Sequence, residues 1–284
     1  MTWKIVTDSG CDIKHIEAIA DHTEFQNVPL TIQIGSEIFV DDEGLDVDNM
    51  MASMYASPTS SKSSCPSPDA FLQAYQSAEN VIAITITGNL SGSQNSAQVA
   101  KNILLEEHPN VNIYVIDSLS AGGEIDLIVL ELNRLIAKGL SFDEMVEAIT
   151  AYQAKTKLLF ILARVDNLVK NGRLSKLIGK VIGLLNIRMV GKASDEGTLE
   201  LLHKARGQKK AIQATINEMF KEGYQGGKVM ITHANNEKAC QQLSDKIKEK
   251  YPQADITFIK ASGLCSFYGE DGGILLGYET KHPR

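Results

Sequence analysis

Val81-Ile82-Ala83-Ile84-Thr85-Ile86, then Thr87, then Gly88-Asn89-Leu90-Ser91-Gly92-Ser93-Gln94-Asn95-Ser96-Ala97, is the stretch on which the reading of the fold turns. The run 81–86 is apolar and β-branched, bounded by Glu79-Asn80 and Thr87-Gly88, as expected of a parallel strand buried on both faces. Ala97, Val99, Ala100, Ile103 and Leu104 then recur at helical spacing, and Ser96 or a neighbouring hydroxyl is placed to cap that helix. A strand, a small-residue loop and a helix start point free N–H groups and the positive end of a helix dipole at an anion. Ser91, Ser93 and Ser96 add hydroxyls, and no lysine is present. The segment reads either as a neutral cradle for a carboxylate or phosphate monoester, or as an ordinary βα loop whose serines only cap the helix.

Around this unit, strands alternate with helices. Residues 5–7 form a first strand, left by the loop Asp8-Ser9-Gly10-Cys11-Asp12, and 28–34 and 37–40 are strands about the turn Gly35-Ser36. Residues 47–55 and 69–78 are helical, the second opened by Pro66-Ser67-Pro68-Asp69. A strand over 111–116 and a long apolar helix over 123–138 follow, and Ser141-Phe142-Asp143-Glu144 is a capping box for a helix through Tyr152. This alternation predicts an α/β fold whose N-terminal part is a parallel, Rossmann-like sheet with ligand chemistry at its carboxyl edge. The texture then changes. A strand over 157–162 precedes a basic stretch, 165–180, containing Asn171-Gly172-Arg173-Leu174-Ser175. Strands over 187–190 and 199–203, a helix over 209–220, a strand over 228–232, a helix over 237–250, a strand over 255–260 and a last strand in 272–278 complete the pattern. The expected division is an N-terminal domain over 1–155, holding the hydroxyl loops, and a C-terminal α/β domain over 156–284.

Composition narrows the function. A formal charge of −7 argues against a nucleic-acid partner, whose phosphates require a basic surface. No stretch approaches the roughly 18 uninterrupted apolar residues of a membrane span, and the N-terminus enters a strand pattern without a signal-peptide core, so the expected compartment is the cytoplasm. Cys11, Cys65, Cys240 and Cys265 are scattered, as are the six histidines, so neither a disulfide framework nor a metal site is expected.

Four segments in series carry a resemblance to a known family. Asp8-Ser9-Gly10-Cys11-Asp12 is similar to its D-S-x-x-D, Ser63-Ser64-Cys65-Pro66-Ser67 to its T-S-Q-P-S, and Leu90-Ser91-Gly92-Ser93-Gln94-Asn95-Ser96-Ala97 to its L-S-G-T-x-x-S-A. Val169-Lys170-Asn171-Gly172-Arg173-Leu174-Ser175 resembles its V-R-N-G-R-I-S. Over essentially its full length the chain resembles the DegV family. The resemblance implies two α/β domains with a buried long-chain fatty acid, no cofactor and no catalytic residue, and an acyl carboxylate presented to a separate ATP-dependent fatty-acid kinase. It also implies that the hydroxyls of the two serine loops hold the carboxylate. Carried over by position, these are Ser63, with Ser64 beside it, and Ser91, Gly92 and Ser93. Arg173, flanked by Lys170, Lys176 and Lys180, either belongs to a solvated basic helix face or orients the head group or docks an acidic or phosphate-bearing partner.

One departure stands out. The family's C-terminal G-x-H-x-G-P-G is replaced by Gly263-Leu264-Cys265-Ser266-Phe267-Tyr268-Gly269, in which Phe267 falls nearest the histidine and Tyr268 beside it is a substitute donor or a packing residue. Other residues have plain readings. Asp8 is placed to bind loop N–H groups and Asp12 to cap the next helix rather than to do acid–base work. Cys65 lacks a nearby histidine, and Lys204, Arg206, Lys209 and Lys210 form a surface basic cluster. The alternative function is a serine hydrolase or acyltransferase acting through Ser91 or Ser93, but the G-x-S-x-G elbow is missing.

Overall fold

The computed structural model describes residues 1–174 and 186–283. The first half runs β1 (Trp3–Asp8), β2 (Thr23–Val28), β3 (Thr31–Ile34), β4 (Glu37–Val40), α1 (Val47–Ala56), β5 (Lys62–Ser64), α2 (Pro68–Tyr75), β6 (Asn80–Thr85), α3 (Ser93–Glu107), β7 (Asn112–Asp117), α4 (Gly123–Ala137) and α5 (Phe142–Gln153). The second runs β8 (Thr156–Leu162), α6 (Asp166–Lys170), β9 (Ile187–Ala193), β10 (Leu199–Arg206), α7 (Gln208–Lys221), β11 (Val229–His233), α8 (Glu237–Lys250), β12 (Ile256–Lys260), α9 (Gly263–Gly269) and β13 (Ile274–Glu279).

The first sheet is four-stranded and wholly parallel, in the order β2-β1-β6-β7. Its central strands β1 and β6 are buried at every position because helices cover both faces. Ile82 and Ile84 pack with Ile125, Ile128 and Val129 of α4 on one face, while Val81 and Ala83 pack with Phe71 of α2 and Ala97 of α3 on the other. From β1 the chain moves outward to β2, and from β6 it moves the opposite way to β7. The crevice beyond the carboxyl ends of β1 and β6 is therefore the topological switch point, where open α/β sheets bind ligands.

The second sheet is six-stranded, in the order β10-β9-β8-β13-β11-β12, antiparallel except for the β11–β12 pair. Helix α4 joins the two sheets, packing on β1 and β6 and also on β8, β11 and β13. The approach is backbone to backbone: a Cβ on Gly123 would lie 2.3 Å from the Met230 carbonyl oxygen, and one on Gly277 would lie 2.3 Å from the Glu124 amide nitrogen. A three-stranded antiparallel sheet, β4-β3-β5, flanks the switch point.

Several sequence-based expectations need correction. The strand expected over 28–34 is the last residue of β2 and the whole of β3, separated by Pro29, which has no N–H to donate to a ladder, and Leu30. Strands β2 and β5 escaped notice because the first alternates half-buried and exposed residues and the second is only three residues long. Helix α9 lies in a segment read only as a substituted motif. Helix α3 starts at Ser93 after an N-cap Gly92, so Ser96 lies within its first turn, its N–H bonded to the Gly92 carbonyl, and is not a cap. The capping box at Ser141–Glu144 forms as expected, and Ser67 caps α2 with Pro68 at the first helical position. Among the described residues no helix is long and apolar enough to cross a membrane, and no group of three or more metal-ligating side chains is gathered. Of the basic stretch, Ser175, Lys176 and Lys180 lie outside the described residues.

Candidate functional site

The loop from Ile86 to Gly92 is fixed at both ends before it meets any ligand. The Ile86 N–H donates to the Asp8 carboxylate at 3.1 Å, and the Gly88 N–H donates to Asp117 at 3.2 Å. Thr87 Oγ1 donates to the Gly197 carbonyl at 2.9 Å, so the β9–β10 hairpin tip of the second sheet holds the loop of the first. At its end the Ser91 hydroxyl accepts from the Ser93 N–H at 3.2 Å, where α3 begins with N–H groups that have no intrahelical acceptor.

Three other segments converge on this loop. Ser63 and Ser64 lie on β5, held in register by β3 through the pairs Ile32–Ser63 and Thr31–Ser64, rather than on a loop. Tyr268 comes from α9, and its Oη lies 2.8 Å from Ser63 Oγ in a hydrogen bond. Arg173 follows the left-handed Gly172 (φ 73°) that ends α6. Its Nε donates to the Leu90 carbonyl at 3.2 Å, and its guanidinium sits 5.9 Å from the centre of the Tyr268 ring. Burial raises the Tyr268 phenol above its ordinary value, with Ser63 and Arg173 opposing, so the group stays a neutral donor.

These segments form the mouth of a cavity of about 340 Å³, lined by Ser63, Ser64, Ser91, Gly92, Arg173 and Tyr268 at its polar side. The remaining wall is apolar and drawn from both halves of the chain: Ile86 and Ala121 from the loops that follow β6 and β7 of the first sheet, Phe160, Leu162 and Leu275 from strands of the second, and Leu168 and Leu264 from the short helices. The wall explains the uninterrupted run 158–162. Leu159 and Ile161 face the core under α7 and α8, whereas Phe160 and Leu162 face the cavity. Cys65, Leu90 and Cys265, which lie inside the motif segments but were given no ligand role, also line it, as does Leu30, which belongs to no motif. Cys65 is exposed, and no histidine lines the cavity.

Two of the sequence-derived site residues lie elsewhere. Ser93 is fully buried on the inner side of α3, near enough to Asp8 to favour its ionised form although it does not meet full hydrogen-bond geometry. Phe267 is fully buried on the far face of α9, packed with Met50, Met51 and Met54 of α1, with its ring edge-on to Tyr268 at 4.8 Å. A helix turns successive residues by about 100°, so Phe267 and Tyr268 diverge and only Tyr268 reaches the mouth. Asp8 acts as the sequence implied, accepting from the Gly10 N–H at 2.8 Å and the Ile86 N–H; burial pushes its carboxyl up to about 6. Asp12 does not cap the helix next in sequence. Its Oδ1 accepts from the N–H and Oγ of Ser262, at 2.8 and 2.9 Å, and so caps α9 from 250 residues away. The cluster of Lys204, Arg206, Lys209 and Lys210 is exposed and does not line the cavity.

Comparisons with known proteins place this geometry. A family model described as "Uncharacterised protein, DegV family" matches residues 2–280. A DegV domain-containing protein of Streptococcus pyogenes serotype M1 is 69% identical over 279 residues, covering 98% of this chain and 100% of the relative. The crystal structure of the Streptococcus pneumoniae Fatty Acid Kinase (Fak) B3 protein loaded with linoleic acid is 64% identical, with a TM-score of 0.98 over 99% of this chain and 100% of the other. A DegV family protein from Eubacterium eligens loaded with heptadecanoic acid is 40% identical, with a TM-score of 0.94 over 99% and 100% of the two chains. On sequence, length and fold together, the chain belongs to the DegV family.

Proposed function

We propose that the protein binds a long-chain fatty acid without catalysing its turnover, and presents the carboxylate to a partner fatty-acid kinase in the cytoplasm. The observation that carries this reading is the division of one cavity into an apolar wall and a mouth of hydroxyls with a single guanidinium. The acyl chain provides most of the affinity: ~16 methylenes at about 0.8 kcal/mol each give on the order of 12 kcal/mol before the costs of association. The head group is oriented by Ser63, Ser64, Ser91, Gly92 and Tyr268, whose hydroxyl and backbone donors hold a carboxylate by charge-assisted hydrogen bonds. Donors without formal charge leave the carboxylate oxygen a better nucleophile toward phosphate than a lysine ion pair would. Tyr268 supplies the donor that the family histidine would otherwise provide, because its Oη already reaches Ser63. In this reading the chain divides near residue 155, and the fatty acid lies where walls from both parts meet.

A Ser91 or Ser93 nucleophile finds no support. Ser93 is buried away from the cavity, and Ser91 Oγ accepts from a backbone N–H with no histidine lining the cavity beside it. Native mass spectrometry of freshly purified protein, beside a broad esterase assay, tests the function. One co-purified fatty acid per chain with no turnover supports it; turnover of esters, or a polar ligand in place of the lipid, overturns it.

A further inference from the structure

Behind the cavity wall lies a second group of carboxyls that the proposed binding site does not use. Asp126, in the first turn of α4, has Oδ1 accepting from the N–H groups of Asp12 and Ile13, at 2.9 and 3.2 Å, and from Cys11 Sγ at 3.1 Å. Asp12 uses its Oδ1 for Ser262, the N-cap of α9. The other oxygen of each carboxyl, Oδ2, is buried and meets no donor among the described residues in full hydrogen-bond geometry, although the Thr232 hydroxyl lies near enough to Asp12 to favour its ionised form. The nearby cation, Lys14, lies 3.5 Å from a different carboxylate, Asp41, which accepts from the N–H groups of Gly263 and Leu264 at the start of α9. The remaining titratable neighbours are the buried thiols of Cys11 and Cys265, both raised well above their ordinary range. Asp8 on the same loop has its own N–H donors, and Glu124, two residues earlier in the first turn of α4, accepts from Thr156.

We infer that Asp12 and Asp126 hold one proton between them at neutral pH, carried by Asp126, and that this proton keeps α9 seated against the cavity. With Asp126 neutral, Asp12 stays ionised and grips Ser262 by charge-assisted bonds. Two buried carboxylates without a cation between them would repel and loosen that grip. Burial raises both carboxyls. At Asp12 the bonds from Ser262, with Thr232 and Lys14 nearby, oppose the rise, whereas at Asp126 the Asp12 charge adds to burial and, against the bonds from Cys11, Ile13 and Asp12, pushes the carboxyl up to about 8. The consequence runs along a short path, from Asp12 to Ser262 to α9, whose Leu264, Cys265 and Tyr268 line the cavity.

The sign follows from linkage. The folded protein keeps a proton that the unfolded chain releases above about pH 4, so stability falls as pH rises toward about 8, by up to about tenfold in the folded-to-unfolded ratio per pH unit. Asp126→Asn retains Oδ1 for the three donors and supplies an N–H where the proton sits. Denaturant unfolding of wild type and Asp126→Asn at several pH values from about 6 to about 9 should show the decline in the wild type and a flatter profile in the variant. Tyr268 ring resonances should titrate near Asp126's value in the wild type and not in Asp126→Asn. Infrared spectra of the wild type, which require no variant to fold, should show a protonated-carboxyl band at pH 7 that disappears by about pH 9. No such band, or identical pH profiles for the two proteins, would overturn the inference.

Discussion

Two regions of this molecule handle carboxylates in opposite ways within one switch point. At the carboxyl end of β1, the protein's own Asp8, Asp12, Asp41 and Asp126 are buried, and each is bonded to at least one main-chain N–H group from a distant segment. Among the described residues no acidic side chain lines the mouth of the cavity. The donors there are hydroxyls satisfied by each other, as in the Ser63–Tyr268 pair, or by one backbone group. The acids fix loops permanently because removing one strands several buried donors. The hydroxyl pairs can be exchanged for a ligand's oxygen at little cost, because a neutral hydrogen bond contributes only about 1 kcal/mol net. A scaffold and a binding site are thus built from the same donors, distinguished by whether the acceptor is covalently part of the chain.

The largest effect expected from this contrast lies in the ligand's tail. Lengthening a saturated acid from C8 to C16 should strengthen binding by up to about 6 kcal/mol, at about 0.8 kcal/mol per methylene, with little dependence on salt. Displacement titrations at low and high ionic strength test this, and a strongly salt-dependent, length-independent affinity would break the distinction between mouth and wall. Next in size is Asp41→Ala. It strips the acceptor from the Gly263 and Leu264 N–H groups and leaves Lys14 with neutral carbonyl acceptors but no carboxylate, so chemical denaturation should show a loss of about 3 kcal/mol or more.

Changes at the mouth should spare stability and act on binding. Ser63→Ala, Ser91→Ala and Tyr268→Phe are each expected to weaken fatty-acid affinity by about 1–3 kcal/mol, as for a lost hydrogen bond to a charged group. Their melting temperatures should stay near that of the wild type. Wild-type affinity in the Ser63→Ala, Ser91→Ala double variant would remove these hydroxyls from the head-group site. The smallest effect on affinity belongs to Arg173→Gln, within a few-fold, because the amide can still donate to the Leu90 carbonyl. Acyl-phosphate formation with the cognate kinase should nevertheless slow, since the only cation lining the mouth among the described residues is gone. An unchanged rate in a reconstituted assay would clear Arg173 of that role.

What was legible in the amino-acid order follows from local physics. The run 81–86 and the helix after it, the Ser141 capping box and the Pro68 helix start depend on neighbours a few residues away, and their forms agree with the sequence reading apart from small shifts at the ends. Asp8 was readable because its partners Gly10 and Ile86 are a short loop and the adjacent strand. The serine motifs pointed to Ser63, Ser64, Ser91 and Gly92, which the fold brings to one mouth with Arg173 and Tyr268. Tertiary structure alone decided the rest. Phe267 and Tyr268 are adjacent in sequence and equally plausible there, yet the rotation of a short helix sends one ring into the α1 core and the other to Ser63. Ser93 turned inward because α3 starts at that residue, one turn before Ser96. Asp12 grips Ser262 across 250 positions, and Phe160 and Leu162 face a cavity rather than a core. No local pattern encodes such pairings, since they are set by how two sheets close on the glycine contacts of α4, and only the folded chain brings those residues within reach.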